Sequence, residues 1–561
     1  MKKCGVLFLL AARLAAADAA DAADAVSQTP AAFAGNLFAK WNGAATPGCA
    51  LAISRPDQPV LKLAYGQADL EHGTPNTPDT VFEAGSVSKQ FTAAAVLLLA
   101  QDGKLALSDD VRKYLPELPD YGKPITLDHL LTHTSGLRDW GSIVEMEGWP
   151  RGTRSVSMEQ ALTVIARQRG LNFPPGERYS YSNSGYVLAA FVVQRVSGKT
   201  LAEFTRERIF QPLGMTRTQW RDNFRRVVPG RAIAYSTAGK GYEQDMPFED
   251  VYGHGGLLTT VGDLLIWNEA LTANALGKGI SALLERRPVL PEGRISNYGH
   301  GLISQSYLGA AEVSHDGATA GYRTWLGRYP ERRLSIALLC NAGDVNPGKL
   351  ARAVAQELLA PSAAAPAALA APVVPAAVPV AASGAVAPAA ASSGLGVYAG
   401  TFYNELTANP VILALRDGVL VLPNGTPLRP LQEGTFAVNA GTFAFSGPDR
   451  FVANPGGGEV MSFRRVAAVA PSSAALSAYT GRYGSDEALA SYDIAPDGDK
   501  LAFRLSGKPE SVLRLKPLAP DVFGADGVVV RFERDGGGRI TGAVASTNRL
   551  YGMHFKKAGQ P

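Results

Sequence analysis

Three features of the 561-residue chain predict an α+β fold in two unlike parts. Through residues 29–360, short strand-like runs alternate with helical segments that carry recognisable caps and stops. Residues 361–396 are almost entirely Ala, Pro, Ser and Val and carry no charge. Beyond them the helical pattern vanishes, and short alternating runs are broken by Asp417-Gly418, Asn424-Gly425, Asp497-Gly498 and Asp526-Gly527, each a hairpin turn signal.

The elements follow in order. Lys2, Lys3, the apolar run Gly5 to Ala12 and the small residues Ala15 to Ala17 read as an export signal interrupted by Arg13. Residues 1–25 are therefore expected to be a signal peptide and processed tail, and the protein to be periplasmic or secreted. A hairpin follows, with strands near 48–55 and 59–66 about Arg55-Pro-Asp-Gln-Pro59. A helix from Ser86 to about Gln101 is apolar on nearly every side through Ala93 to Leu99, so it is expected to be buried. Another runs from Gly185 to Val196 and stops at Gly198, and a third starts at Thr260 with the capping-box pattern Thr260-x-x-Asp263. Strands near 311–315, 321–329 and 333–340 precede a closing helix with Asn346 as cap and Pro347 at its first position, ending near Leu359.

Residues 361–396 cannot bury varied surface and read as an extended linker. After it the sequence repeats: Tyr398-Ala-Gly-Thr-Phe402 returns as Tyr479-Thr-Gly-Arg-Tyr483, and Met461-Ser-Phe-Arg-Arg465 as Met553-His-Phe-Lys-Lys557. Two small antiparallel barrels or sandwiches are expected, at 397–466 and 478–558, split by a linker from Ala467 to Ser477.

Composition excludes several classes. Lysine and arginine total 54 against 50 acidic residues, and the net charge of +4 is spread along the chain, which gives no footing for nucleic acid or an anionic membrane surface. Ala93 to Ala100 is too short to span a membrane, and prolines break the alanine-rich segment after Pro361. Seven histidines include no pair spaced for zinc, so neither a metal nor a cofactor is expected. His129 and His133 read as core or hydrogen-bonding residues, and His254 as a loop residue that either borders a cleft or holds its loop. Trp140 and Trp149 are candidates for the rim of a substrate groove, and Gly536-Gly-Gly538 is a turn. Past the signal only Cys49 and Cys340 remain, each at the end of a predicted strand. They are either a disulfide, if the strands are antiparallel neighbours in an oxidising compartment, or two small buried hydrophobes.

The chemistry gathers around Ser86 and Lys89, which share a helix face. A serine hydroxyl attacks a carbonyl only when a neighbour takes its proton, and a desolvated amine can do so. The unpaired N–H groups of the helix's first turn favour negative charge nearby. Ser-x-x-Lys alone is a chance-prone motif, and its company gives it weight. Tyr181 and Asn183, in a loop just before a helix, suit a phenol that relays a proton and an amide that grips a substrate amide. In Ser314-His315-Asp316-Gly317-Ala318-Thr319, at a strand end, Gly317 would let a substrate lie against the backbone, and the Ala318 N–H, beside that of Ser86, would complete an oxyanion hole.

In this order the three elements resemble those of the penicillin-recognising serine hydrolases: class C β-lactamases, DD-carboxypeptidases, D-aminopeptidases and related esterases. The likeness runs through residues 40–360, including His129-Leu-Leu-Thr-His133-Thr-Ser-Gly136-Leu, Phe210-Gln-Pro-Leu-Gly-Met215 and Gly255-Gly-Leu-Leu-Thr-Thr260. It implies a helical subdomain on an antiparallel sheet with the site between them, and neighbouring first and last strands that bring Cys49 and Cys340 together. It further implies that Ser86 is acylated, that Lys89 and Tyr181 share the proton work, that Asn183 binds the scissile group and that His315 fills the third motif. His315 and Asp316 depart from the lysine and threonine of the lactamase-type third motif. Losing a fixed cation and adding a carboxylate should weaken binding of substrates with a carboxylate beside the scissile bond, which disfavours penicillin hydrolysis; half of this expectation rests on Asp316 facing the cleft. The two C-terminal barrels resemble in number and position those of D-aminopeptidases, where a barrel loop reaches the cleft and favours a free amino group. The expected function is an acyl-enzyme serine hydrolase cleaving amide bonds of small D-amino-acid peptides. The alternatives are an esterase or weak β-lactamase on the same site, and a penicillin-binding sensor that acylates without turnover.

Overall fold

The computed structural model describes residues 29–359 and 394–559, apart from 151, 278, 408, 439–440, 455–459, 468, 509 and 526. The export signal and nearly all of the 361–396 linker lie outside the described residues. The first part is built on six antiparallel strands: β1 (Cys49–Ser54), β2 (Leu61–Tyr65), β3 (Ile303–Tyr307), β4 (Ala310–Thr319), β5 (Tyr322–Tyr329) and β6 (Leu334–Cys340). Their order is β3-β4-β5-β6-β1-β2, so the first and last strands are neighbours, and Cys49 faces Cys340 in register. A disulfide joins them. Strand β3 was not foreseen, and its pairing lengthens β4 beyond the expected run.

Every residue of β6 is buried because both faces of the sheet are covered. Ala52, Ala337 and Leu339 pack on the side of the helical subdomain, while Leu51, Ile53, Ile336 and Leu338 pack on the other side. That is why β6 reads as a continuous apolar run rather than an alternating one.

Helix α1 (Lys89–Gln101) is buried from Lys89 through Leu99. It begins one turn later than expected. Gly85 takes φ +52°, Gly85–Ser88 form a 3₁₀ turn, and the Ser88 hydroxyl donates to the Gly85 carbonyl at 2.6 Å. Helix α2 (Trp140–Met146) is followed by α3 (Asn183–Ser197), which stops at Gly198 with φ +72°. The Thr260 hydroxyl caps α4 (Val261–Thr272), but the reciprocal half of the capping box is missing. The Asp263 carboxylate instead accepts from the Arg217 N–H at 2.9 Å and the Thr218 hydroxyl at 2.7 Å. Helix α5 (Pro347–Leu359) follows the Asn346 side chain, which accepts from the Lys349 N–H.

The second part holds two eight-stranded antiparallel sheets. One runs from Gly400–Asn404 to Met461–Val466, and the other, from Gly481–Ser485 to Met553–Lys557, closes into a barrel. The repeated sequence motifs lie in the first and last strand of each sheet, and these two strands pair with one another in both.

The second barrel is seated on the helical subdomain, and the two share one apolar cluster. Arg138, 4 % exposed, donates to the carbonyls of Tyr551 (3.1 Å) and Gly552 (2.8 Å) and pairs with Glu487 (2.8 Å). Asn172 holds the same loop from both sides, donating to the Arg549 carbonyl at 3.1 Å and accepting from the Tyr551 N–H at 2.8 Å.

The disulfide closes a loop across 291 residues between two fully buried cysteines. Replacing both with alanine is expected to cost about 2–4 kcal/mol in urea denaturation. An unchanged midpoint would contradict a contribution from this bond.

Candidate active site

The position of Ser86 is set by two backbones in near contact. A Cβ on Gly317 would stand 2.2 Å from the Ala84 carbonyl oxygen and 3.2 Å from the Ser86 nitrogen. A Cβ on Gly85 would stand 2.7 Å from the Ala318 nitrogen. Gly317 therefore does not floor a substrate groove, as the sequence suggested; it admits the turn that carries Ser86. Strand β3 reaches only Ser314, so beyond it one edge of β4 is free of that neighbour. The two-residue turn Ala320-Gly321 pairs Thr319 with Tyr322, and strand alternation then directs the Ala318 N–H away from β5 and toward the Ser86 turn. Two N–H groups, of Ser86 and Ala318, thus border one spot.

Lys89 is fully buried and lies beneath Ser86. Its Nζ is 3.1 Å from Ser86 Oγ, 2.9 Å from Asn183 Oδ1 and 2.6 Å from the His254 carbonyl oxygen. The loop carrying His254 is pinned along α1, where Thr92 donates to the Gly253 carbonyl (2.7 Å) and Ser88 Oγ accepts from the Leu257 N–H (3.1 Å). Asn183 opens α3, and its N–H donates to Asp139 Oδ2 at 2.7 Å, while Asp139 Oδ1 caps α2.

The Tyr181 phenol stands beside Ser86. Its ring lies 4.1 Å from that of His133 and 4.8 Å from Lys89 Nζ. Burial raises the phenol well above its ordinary pKa; the Ser86 hydroxyl and the Arg549 charge oppose this. Tyr181 is therefore a neutral phenol at physiological pH.

His315 is turned inward, 2 % exposed. Its Nδ1 donates to the Asp316 carbonyl at 2.5 Å; since a carbonyl only accepts, Nε2 takes the Tyr298 hydroxyl at 2.9 Å. Burial lowers its pKa, so it supplies no cation in place of the family's lysine. Asp316 projects to the opposite face, with Ser314 and Glu312, toward Arg352 of α5. The half of the expected penalty on carboxylate substrates that assumed an Asp316 facing the cleft falls away, while the half that follows from the missing lysine stands.

His129 sits in a capping box with Thr126, and His133 Nδ1 accepts from the Ser182 N–H. Both are structural, as read. Trp140 is buried with its ring 5.6 Å from that of His254, and Trp149 lies under Lys508 of the second barrel. Sequence reading missed Asp139, the His254 carbonyl, Tyr298 and Arg549. Arg549, from the loop between the last two strands of the second barrel, has its guanidinium 4.8 Å from the Tyr181 ring centroid. No motif marks it, because its place depends on docking between domains.

A serine paired with a buried amine, a phenol and two converging N–H groups, set between a helical subdomain and an antiparallel sheet, defines a β-lactamase-fold serine hydrolase. Residues 26–360 match the Beta-lactamase family model, and the chain belongs to that family. It is 31% identical over 303 residues to a penicillin-binding protein of Bacillus subtilis (strain 168), covering 50% of this chain and 64% of that protein. It is 30% identical over 321 residues to a D-aminopeptidase of Gluconobacter oxydans (strain 621H), covering 56% and 58%. The chain thus spans about three-fifths of the length of these relatives. Among solved structures, an octameric penicillin-binding protein homologue from Pyrococcus abyssi superposes with TM-score 0.51 at 22% identity, covering 82% of this chain and 94% of that one. That likeness concerns fold alone.

Gly317→Ala is expected to lower kcat at least about 10²-fold while far-UV circular dichroism stays unchanged, because the new methyl displaces the Ser86 turn. A rate within about a factor of two would contradict the assigned contact. A second expectation concerns pH. Burial holds His133 and His315 below the ordinary histidine pKa of about 6.5. Below that value the unfolded chain binds more protons, so their contribution is complete above it and is lost as pH falls toward the folded values. The denaturation midpoint should drop between pH 7.5 and 5, and drop less in a His133→Gln, His315→Gln variant. Equal drops would refute the assignment.

Proposed function

We propose that this serine hydrolase cleaves amide bonds of small peptides containing D-amino acids through an acyl-enzyme on Ser86. The observation that carries the reading is the buried Lys89 amine, held between Ser86 Oγ and two carbonyl oxygens. Carbonyls only accept, so a neutral amine keeps its two hydrogens on Asn183 and His254 and turns its lone pair to the Ser86 hydroxyl. Lys89 takes the serine proton as Oγ attacks the substrate carbonyl, and the Ser86 and Ala318 N–H groups receive the developing oxyanion. Tyr181, kept protonated by burial, gives its proton to the leaving nitrogen and regains one from Lys89. Asn183 orients the amide, and water then hydrolyses the ester.

The D-amino-acid preference draws support from relatives named D-aminopeptidase at 28–30% identity. Export is part of the same proposal, supported by the sequence of the first 25 residues and by a buried disulfide, which persists in oxidising compartments.

The test is a panel of D- and L-amino-acyl amides, D-Ala-D-Ala peptides, nitrophenyl esters and cephalosporins, run on the protein and on Ser86→Ala. Turnover of D-amides that falls at least about 10³-fold in Ser86→Ala is expected. Ester hydrolysis without any amide hydrolysis would replace the proposal with an esterase, and a penicillin that stays attached without product would replace it with a sensor.

A further inference from the structure

The family's third-motif cation is absent here, since His315 is neutral and bonded to Tyr298, yet a cation stands at the site from elsewhere. Arg549 belongs to the second barrel, is exposed, and holds its guanidinium 4.8 Å from the centre of the Tyr181 ring. Its charge is felt by both Tyr181 and His133. The backbone around it is fixed rather than loose: the Arg549 carbonyl accepts from the Asp139 N–H (3.2 Å) and from Asn172, and the next carbonyls, of Tyr551 and Gly552, accept from buried Arg138. Asp139 accepts from the Asn183 N–H and the Arg138 carbonyl from the Ser184 hydroxyl, so one short stretch of the helical subdomain sets both the amide grip and the Arg549 loop. Among the described residues, the Arg549 side chain has no carboxylate or carbonyl partner, and its contact is the ring face.

Arg549 also lines a cavity of about 600 Å³. Its walls come from the barrel interior, including Tyr492, Phe503, Val530 and Phe555, and from α2, including Met146. Small residues such as Ala543 and Ala545 leave the interior of this closed barrel unfilled. A cationic residue on the lining of a largely apolar cavity suits an apolar group that ends in a carboxylate.

We propose that Arg549 is the specificity-determining cation of this enzyme: it binds the free carboxylate of the leaving amino acid, whose apolar side chain extends toward the barrel cavity. The leaving side follows from Tyr181, which protonates the departing nitrogen and over whose ring Arg549 lies. This rests on the amidase reading above. It differs from the expectation drawn from D-aminopeptidase barrels, which concerns a free amino group on the acyl side, because a guanidinium on the leaving side attracts an acid.

The experiment uses the full chain and a matched pair, N-acetyl-D-alanyl-D-phenylalanine and its C-terminal amide. The acid is expected to be cleaved with kcat/KM at least about tenfold above that of the amide. Arg549→Gln should abolish that ratio, Arg549→Lys should keep part of it, and Arg549→Glu should reverse it. A ratio near one in the unaltered protein, or a loss in Arg549→Gln that is equal for both substrates, would overturn the proposal, the latter because Arg549 would then act only on Tyr181. Calorimetric binding of the same pair to Ser86→Ala keeps the test independent of turnover. Tighter binding of the acid, lost in Ser86→Ala, Arg549→Gln, supports the site even if the amidase reading fails; equal binding of acid and amide counts against it even if amides are hydrolysed.

Discussion

A buried amine that must find three partners organises this molecule. Removing Lys89 from water is affordable only where its amine is engaged in hydrogen bonds, and three groups that engage it come from three separate parts of the chain: Ser86 at the head of α1, Asn183 at the head of α3 and the His254 carbonyl in a loop. Each is held by contacts of its own. Thr92 and Ser88 fix the loop, Asp139 fixes Asn183, and the close approach of Gly85 and Gly317 fixes the turn of Ser86.

The sheet's part in this is to present a backbone edge rather than side chains. Strand β4 is one of the middle strands, yet beyond Ser314 it has β5 on one side and the nucleophile's turn on the other. A glycine at 317 lets the turn come within contact distance, so Ser86 and Ala318 bring their N–H groups together. Packing and the geometry of the site are thus one constraint, because the residue that permits the contact also aligns the two N–H groups.

Much of this was legible in the sequence because it is local. Ser86 and Lys89 share a face by helix geometry, Asn346 and Pro347 mark the start of α5, and Gly198 marks the end of α3. The fold class and the pairing of Cys49 with Cys340 followed from resemblance, and the strand register bears them out. What failed depended on direction or on distance in space. Alternation along β4 turned Asp316 outward, which a motif read as a string does not reveal. Gly317 was given to the substrate when it belongs to the turn of Ser86. Arg549 lies 368 residues beyond Tyr181 and joins it only through the docking of a barrel, which leaves no mark in any one segment.

The central claim, that Ser86 carries the acyl group, is open to direct observation by intact-protein mass spectrometry. The protein, quenched in acid during turnover of a D-phenylalanine ester, should gain the mass of one aminoacyl group, located by peptide mapping on Ser86 and absent from Ser86→Ala. An adduct on another residue, or undiminished turnover by Ser86→Ala, would contradict the account.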